Sequence, residues 1–98
     1  MKAAFIFLAP EANPKIHKAI IKTPEMELIS IGVSSYDDAC KVSVRLAVDN
    51  VSAIELCGGF GIDGTARVKN AVRNKMPVGV VRFDIHPGLE NKSGDEIF

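Results

Sequence analysis

The amino-acid sequence predicts a single α/β domain with a four-stranded, mostly parallel sheet, three helices and a C-terminal tail. Apolar segments of strand length alternate along the chain with segments of helical periodicity. A length of 98 residues leaves room for one hydrophobic core. Hydrophobic residues make up 47% of the chain and charged residues 24%, as in ordinary globular domains.

The first predicted strand is the continuous apolar run of residues 3–9, which ends at Pro10. A run without polar alternation is typical of a strand that is buried on both faces of its sheet. A helix is expected next, because Asn13 is a suitable N-cap and Pro14 is tolerated in a first helical turn. Pro24 is expected to end this helix.

Two further helices and three further strands are expected. Ser35 and Asp38 have the spacing of a capping box at the start of the second helix, and Asp63 is a suitable cap for the third. The predicted elements are, in order, a strand at residues 28–33, a helix at 36–48, a strand at 53–57, a helix from Asp63 to before Pro77, and a strand at 78–83.

The flavodoxin-like order 2-1-3-4 is the natural arrangement of four such strands joined by right-handed crossovers. It places the first helix on one face of the sheet and the other two on the opposite face, which leaves part of one face bare. Glu55 and Arg82 are charged residues within the third and fourth predicted strands, each two positions before the end of its strand. We expect them to form an ion pair on the bare face.

The charge composition argues against an extended nucleic-acid surface, because 12 acidic residues balance the 12 basic ones. Residues 84–98 carry one basic and four acidic side chains, and residues 86–98 are expected to be a tail that is loosely packed or docked on a partner. Two cysteines, Cys40 and Cys57, are too few for a disulfide framework. No apolar run is long enough to cross a bilayer, so we expect a cytoplasmic protein without a membrane partner.

The candidate ligand site is the glycine-rich turn after the third predicted strand. Glycines allow positive φ and a close approach of the backbone, and open α/β sheets bind ligands at the carboxyl ends of their strands. The N–H groups of such a turn and the following helix could receive an anion, although the glycines could equally serve tight-turn geometry alone. The sequence therefore predicts a site for a small anionic metabolite, with no cofactor identified, at Glu11, Asn13, Gly58, Gly59, Phe60 and Gly61.

Three residues near the same turn could support catalysis instead. Cys57 ends the third strand as a candidate nucleophile, and Asp84 and His86 follow the fourth strand as candidate acid–base groups. These groups are too few for a metal site, and none is predicted. The alternative functions are a small lyase, isomerase or hydrolase, and a structural or interaction module without a ligand.

A homodimer or higher oligomer is the expected assembly. Three helices cannot cover both faces of the sheet in this order, and two strands remain as open edges. The second helix also has apolar residues beyond those needed for one core, namely Cys40, Val44 and Val48. Two-fold pairing is the commonest closed symmetry of such assemblies.

Three segments carry a resemblance to known proteins, namely Phe5-Ile6-Phe7, the block Ile54-Glu55-Leu56-Cys57-Gly58-x-Phe60-Gly61, and Pro77-Val78-Gly79-Val80. Together they resemble a family of small prokaryotic proteins catalogued only as a domain of unknown function. The similarity spans nearly the whole chain. It implies a compact α/β domain with this central block, and no activity or site residue comes with it.

Overall fold

The structure is a computed structural model that describes residues 1–98. Its strands are β1 (Lys2–Leu8), β2 (Lys18–Lys22), β3 (Glu27–Val33), β4 (Ala53–Leu56) and β5 (Val78–Val80), and its helices are α1 (Tyr36–Val48) and α2 (Ile62–Val72). The strands form one sheet in the order β2-β3-β1-β4-β5, in which β2 is antiparallel to β3 and all other neighbours are parallel. Two 3₁₀ turns, Pro87–Leu89 and Gly94–Glu96, lie in the tail.

The hydrophobic core lies between the sheet and the two helices. Strand side chains alternate between the two faces of a sheet, and the side chains facing the helices are the buried ones. They come from the three central strands, as Ala4, Ile6, Ile29, Ile31, Ile54 and Leu56. Ala39 and Leu46 of α1 and Val68 and Val72 of α2 belong to the same cluster. Both helices therefore cover one face of the sheet.

The α/β class is confirmed, and the four parallel strands follow the predicted order as β3-β1-β4-β5. The prediction of four strands and three helices is wrong, because the segment expected to be the first helix forms β2 at the sheet edge. Asn13 does cap a turn there, since its Oδ1 accepts the N–H of Lys15 at 2.9 Å. The turn ends at His17, and the β-branched pair Ile20-Ile21 favours the extended conformation that follows.

Pro24 has a different role from the one expected of it. It lies in the turn Thr23-Pro24-Glu25-Met26, which joins β2 to β3. The N–H of Thr23 donates to the carbonyl oxygen of Met26 at 2.8 Å, and the N–H of Met26 donates to Thr23 Oγ1 at 3.1 Å. Proline is favoured early in such turns because its fixed φ suits them. Pro24 therefore supports a hairpin and does not end a helix.

Helix α1 begins and ends where the sequence predicts. The Oγ of Ser35 accepts the N–H of Asp38 at 3.1 Å, which satisfies one of the free N–H groups of the first turn. Acidic Asp37 and Asp38 lie in that first turn and Arg45 lies in the last, as the helix dipole favours. Neither helix is long and apolar enough to cross a membrane.

Replacing Ser35 with alanine should lower the free energy of unfolding by about 1 kcal/mol, because the N–H of Asp38 loses its acceptor. Urea titration followed by circular dichroism measures this change. Ser52→Ala is the matched control, since Ser52 is exposed and lies outside both helices. An equal effect of the two substitutions would contradict the cap.

The predicted ion pair between Glu55 and Arg82 is wrong. β5 ends at Val80, and the parallel register places Glu55 beside Gly79. Arg82 therefore lies beyond the strand, where its Nε donates to Asp84 Oδ1 at 2.9 Å. Glu55 is exposed and forms no salt bridge. The prediction paired residues of the two strands by counting back from the expected end of each strand. β5 ends earlier than expected, so the pairing is shifted.

Candidate functional site

The glycine-rich turn continues β4 at the carboxyl edge of the sheet. The N–H of Cys57 donates to the carbonyl oxygen of Ile6 at 3.0 Å, and the N–H of Phe60 then closes the turn onto the carbonyl oxygen of Cys57 at 3.0 Å. No glycine of the chain has a positive φ, so that part of the expectation is wrong. The glycines are needed for close approach, because a Cβ on Gly58 would overlap the ring of Phe83.

The start of α2, where the sequence analysis expects an anion, is occupied by the carboxylate of Asp95 from the tail. Its Oδ2 accepts the N–H of Asp63 at 3.0 Å and its Oδ1 accepts the N–H of Gly64 at 3.1 Å. The hydroxyl of Tyr36 also donates to Oδ1 at 2.8 Å and accepts the N–H of Gly61 at 3.0 Å. The tail thus supplies the N-cap of α2 from outside the helix.

These contacts shift the titration of both side chains. Partial burial disfavours the charged form of Asp95, but donation by Asp63, Tyr36, Gly64 and Ile62 outweighs it and holds the pKa of Asp95 below its usual value. Burial raises the pKa of Tyr36 to about 12, with a further rise from Asp95, although the N–H of Gly61 acts in the opposite direction. At neutral pH the pair is therefore a charged acceptor and a neutral donor.

A cleft of about 650 Å³ lies beside this cap, at the carboxyl ends of β1 and β4. Its floor is formed by Leu8 and by the turn residues Cys57, Gly58 and Gly59, and the tail forms its opposite wall with His86, Lys92, Ile97 and Phe98. The chain leaves β1 toward β3 and leaves β4 toward β5, in opposite directions along the sheet. We call it the switch-point cleft, because open α/β sheets bind ligands at such reversals.

Polar groups line the switch-point cleft on both sides. The sulfur of Cys57 accepts the N–H groups of Leu8 at 3.4 Å and Gly59 at 3.3 Å. The Nδ1 of His86 accepts the N–H of Gly88 at 3.0 Å, which leaves Nε2 as the free ring nitrogen. The N–H of Gly58 has no acceptor within the protein. The cleft thus combines free hydrogen-bonding groups with a sulfur atom.

Of the six predicted ligand-binding residues, two line the switch-point cleft, Gly58 and Gly59. Glu11 is exposed in a left-handed turn with φ of 61° and does not line the cleft. Asn13 caps the turn before β2, and Phe60 is buried, with its ring stacked 5.6 Å from that of Tyr36. Gly61 leaves room for the Asp95 carboxylate, which a Cβ would overlap.

Of the three candidate catalytic residues, Cys57 and His86 line the switch-point cleft and Asp84 does not. The ring of His86 packs 4.6 Å from that of Phe83, which fixes its position on the tail side of the cleft. Asp84 is exposed and paired with Arg82. No group of three or more His, Cys, Asp and Glu side chains is placed to hold a metal ion.

Sequence reasoning did not predict that four residues of the tail build this region of their own chain, namely Lys92, Asp95, Ile97 and Phe98. A local signal was present, because Ser93 and Glu96 have capping-box spacing and form that box around the second 3₁₀ turn. The apolar end of the chain was a second signal. The ring of Phe98 lies 6.0 Å from that of Tyr36 and packs against the core. In this structure the tail therefore packs against its own chain.

A second cavity of about 420 Å³ lies between α1 and the segment before β2. Its lining carries charges of both signs. The basic residues are Lys15, Lys18, Lys41 and Arg45, and the acidic residues are Asp38 and Asp49. Its basic residues on α1 and β2, Lys18, Lys41 and Arg45, are exposed. The switch-point cleft is the better candidate site, because backbone groups and a tail wall are organised around it.

Comparison with known proteins gives one match. No curated protein and no solved structure matches the chain. Residues 1–96 match the profile of the family of unknown function DUF6506. The match covers nearly the whole chain and confirms the resemblance to a domain of unknown function. The protein therefore belongs to the family DUF6506.

Proposed function

We propose that the protein binds a small anionic metabolite in the switch-point cleft. The observation that carries this proposal is the coincidence of a 650 Å³ cleft with the reversal point between β1 and β4. That volume lies in the range of small-molecule sites. Since Asp95 already fills the start of α2, the ligand belongs in the adjoining cleft and not on the helix dipole.

The groups lining the cleft favour an anion with an apolar part. Lys92 supplies a positive charge, and the free N–H of Gly58 and the free Nε2 of His86 supply hydrogen-bonding groups. Glu90 is the one acidic residue of the lining, and it lies at 3.7 Å from Lys92 as an exposed ion pair. The remaining surface is largely apolar. A small carboxylate or phosphate ester with a hydrocarbon portion fits this chemistry.

A thermal-shift screen of aliphatic carboxylates and phosphorylated metabolites tests the proposal. A ligand present at 100 times its Kd should stabilise the native state by about 2.7 kcal/mol and raise the melting temperature by several degrees. Lys92→Ala should weaken binding by roughly tenfold or more, since it removes a charged hydrogen bond. Lys75→Ala is the matched control, because Lys75 is exposed and lies outside the cleft. Equal ligand responses in the two variants would contradict the assigned site.

A cysteine-dependent lyase, isomerase or hydrolase is the second candidate, because Cys57 and His86 line the same cleft. In such an enzyme the thiolate of Cys57, formed by loss of its proton to water, would add to a substrate carbonyl carbon as the electron pair of the C=O bond moves onto the oxygen. The Nε2–H of His86 would stabilise that thiolate by donating to it, because Nδ1 already accepts the N–H of Gly88. Alkylation by iodoacetamide, read by mass spectrometry, distinguishes the two candidates. A His86→Ala substitution that slows alkylation of Cys57 tenfold favours catalysis. Unchanged alkylation favours simple binding, with Cys40 as the internal reference.

A further inference from the structure

The face of the sheet opposite the helices has no element packed on it. Both helices and the tail lie on the other side or at the carboxyl edge, and the buried core belongs to the helix side alone. The chain between β1 and β2 crosses this open face only at its carboxyl end, where Ala12 and the ring of Phe7 approach Gly32. Parallel sheets occur almost exclusively with both faces covered.

The open face is apolar. β1 contributes Ala3, Phe5 and Phe7 to it, and the paired residues Ile21 and Leu28 continue it across β2 and β3. Ile21 is 61% exposed. Glu55, beside Phe5 in the register, is the only charged side chain of the strands on this face. An apolar surface of this kind on a soluble protein is typical of an interface.

The face has the size of a small dimer interface. Each strand residue covers roughly 3.3 Å by 4.8 Å, so strands of seven, five, seven, four and three residues give a face of about 400 Å². Two copies thus offer about 800 Å² of flat sheet area. The side chains that project from the sheet add further surface to this figure. Val81, 55% exposed and next in alternation after Gly79, extends the face beyond β5. The total approaches the roughly 1,000 Å² that a stable interface needs.

We propose that a second copy of this chain covers the open face in a two-fold homodimer. The two sheets pack face to face, with β1 and β3 of each copy at the centre and Glu55 on β4, one strand in from the edge of the sheet. Four layers result, in the order helices, sheet, sheet, helices, and the three central strands β3, β1 and β4 are then covered on both faces. Because the chain has 12 basic and 12 acidic residues, no net charge opposes self-association.

Sedimentation equilibrium at micromolar concentration tests the dimer. The wild-type chain should have a mass of about 21 kDa, twice its 10.5 kDa. Leu28→Lys and Ile21→Lys each place a charge on the open face and should reduce the mass to that of one chain. Val48→Lys is the matched control, because Val48 is 72% exposed on α1 and lies on the opposite side of the molecule. It should leave the mass at that of two chains.

Circular dichroism establishes that each variant is folded, and Ile21→Lys decides the question if Leu28→Lys does not fold, since Ile21 lies on an exposed edge strand. The melting temperature of the wild type should also rise with protein concentration, whereas that of Ile21→Lys should not. A wild-type mass of one chain overturns the proposal. So does a dimer that survives the substitutions on the open face or that Val48→Lys dissociates.

Discussion

Replacing Gly94 with alanine is expected to release the tail from the glycine-rich turn and to lower the free energy of unfolding by about 2–3 kcal/mol. A Cβ at this position would overlap the carbonyl oxygen of Gly59 and would approach the hydroxyl of Tyr36 to 3.0 Å. Backbone atoms cannot rotate away as a flexible side chain can, so the two segments must separate. The contacts of Asp95 with α2 would be lost with them.

Gly79→Ala is the matched control for this substitution, because no heavy atom lies within 4 Å of a Cβ at Gly79. Its effect should stay within about 0.5 kcal/mol. Urea titrations of the two variants provide the comparison, and hydrogen exchange reports whether residues 93–98 lose protection. Equal stabilities of the two variants would show that the tail does not pack on the turn as described.

The same substitution bears on the proposed ligand site, because the tail forms one wall of the switch-point cleft. Ile97 and Phe98 line the cleft and come directly after the second 3₁₀ turn, which begins at Gly94. If the tail no longer packs against Gly59, it cannot hold Ile97 and Phe98 in the wall of the cleft. Loss of tail packing and loss of ligand binding should therefore occur together in Gly94→Ala, whereas Lys92→Ala should affect binding alone.

The parts of the fold that sequence analysis predicted well are those in which one physical effect dominates. The continuous apolar run of β1 predicted a strand in the middle of the sheet, and Ser35 with Asp38 predicted the start of α1. The order of the four parallel strands followed from the handedness of crossovers. In each case the structure that the local sequence pattern favours is also the structure that the packing of the whole chain requires.

The first predicted helix failed because its pattern was ambiguous. Ile16, Ala19 and Ile20 have helical spacing, but Ile20 and Ile21 are also a β-branched pair at the edge of a sheet that needed a further strand. A proline that ends a helix and one that begins a hairpin turn look alike in a sequence. Pairing with β3 decides between them, and periodicity contains no information on pairing.

The candidate site was predicted in part for a similar reason. The glycine-rich turn and the switch-point cleft lie at the same edge of the sheet, since Cys57, Gly58 and Gly59 line the cleft. The partner that occupies the start of α2 could not be predicted, because Asp95 and Asp63 are 32 residues apart in the chain. The packing of the tail on the turn explains why positions 61 and 94 are glycines, since each leaves room for another segment of the chain.

Removing the charge of Asp95 is expected to lower the free energy of unfolding by about 2 kcal/mol at neutral pH. Asp95→Asn keeps one oxygen acceptor but loses the carboxylate that receives the N–H groups of Asp63 and Gly64 and the hydroxyl of Tyr36. Asp84→Asn is the matched control, because Asp84 is exposed and its pair with Arg82 is a surface ion pair. Its effect should stay below about 1 kcal/mol.

The pH dependence of this effect follows from the direction of the pKa shift. Because the pKa of Asp95 is lower in the folded than in the unfolded chain, its stabilisation is complete above the unfolded value of about 3.9 and is lost as the pH falls through the folded value. The difference between wild type and Asp95→Asn should therefore be constant near neutrality and shrink below about pH 4. A difference that is independent of pH down to acid unfolding would contradict the role of the charge.

Tyr36 should make the free energy of unfolding depend on pH at the alkaline end of the range. Its pKa is raised to about 12 from 10.0, so its stabilisation is complete below pH 10 and is lost as the pH rises toward 12. Tyr36→Phe should abolish this alkaline loss, and in a double-mutant cycle with Asp95→Asn the two effects should be strongly non-additive. Additive effects would mean that the hydroxyl and the carboxylate act separately. Coupled effects would identify the hydrogen bond between them as the link that fastens the tail to α1 and α2 at once.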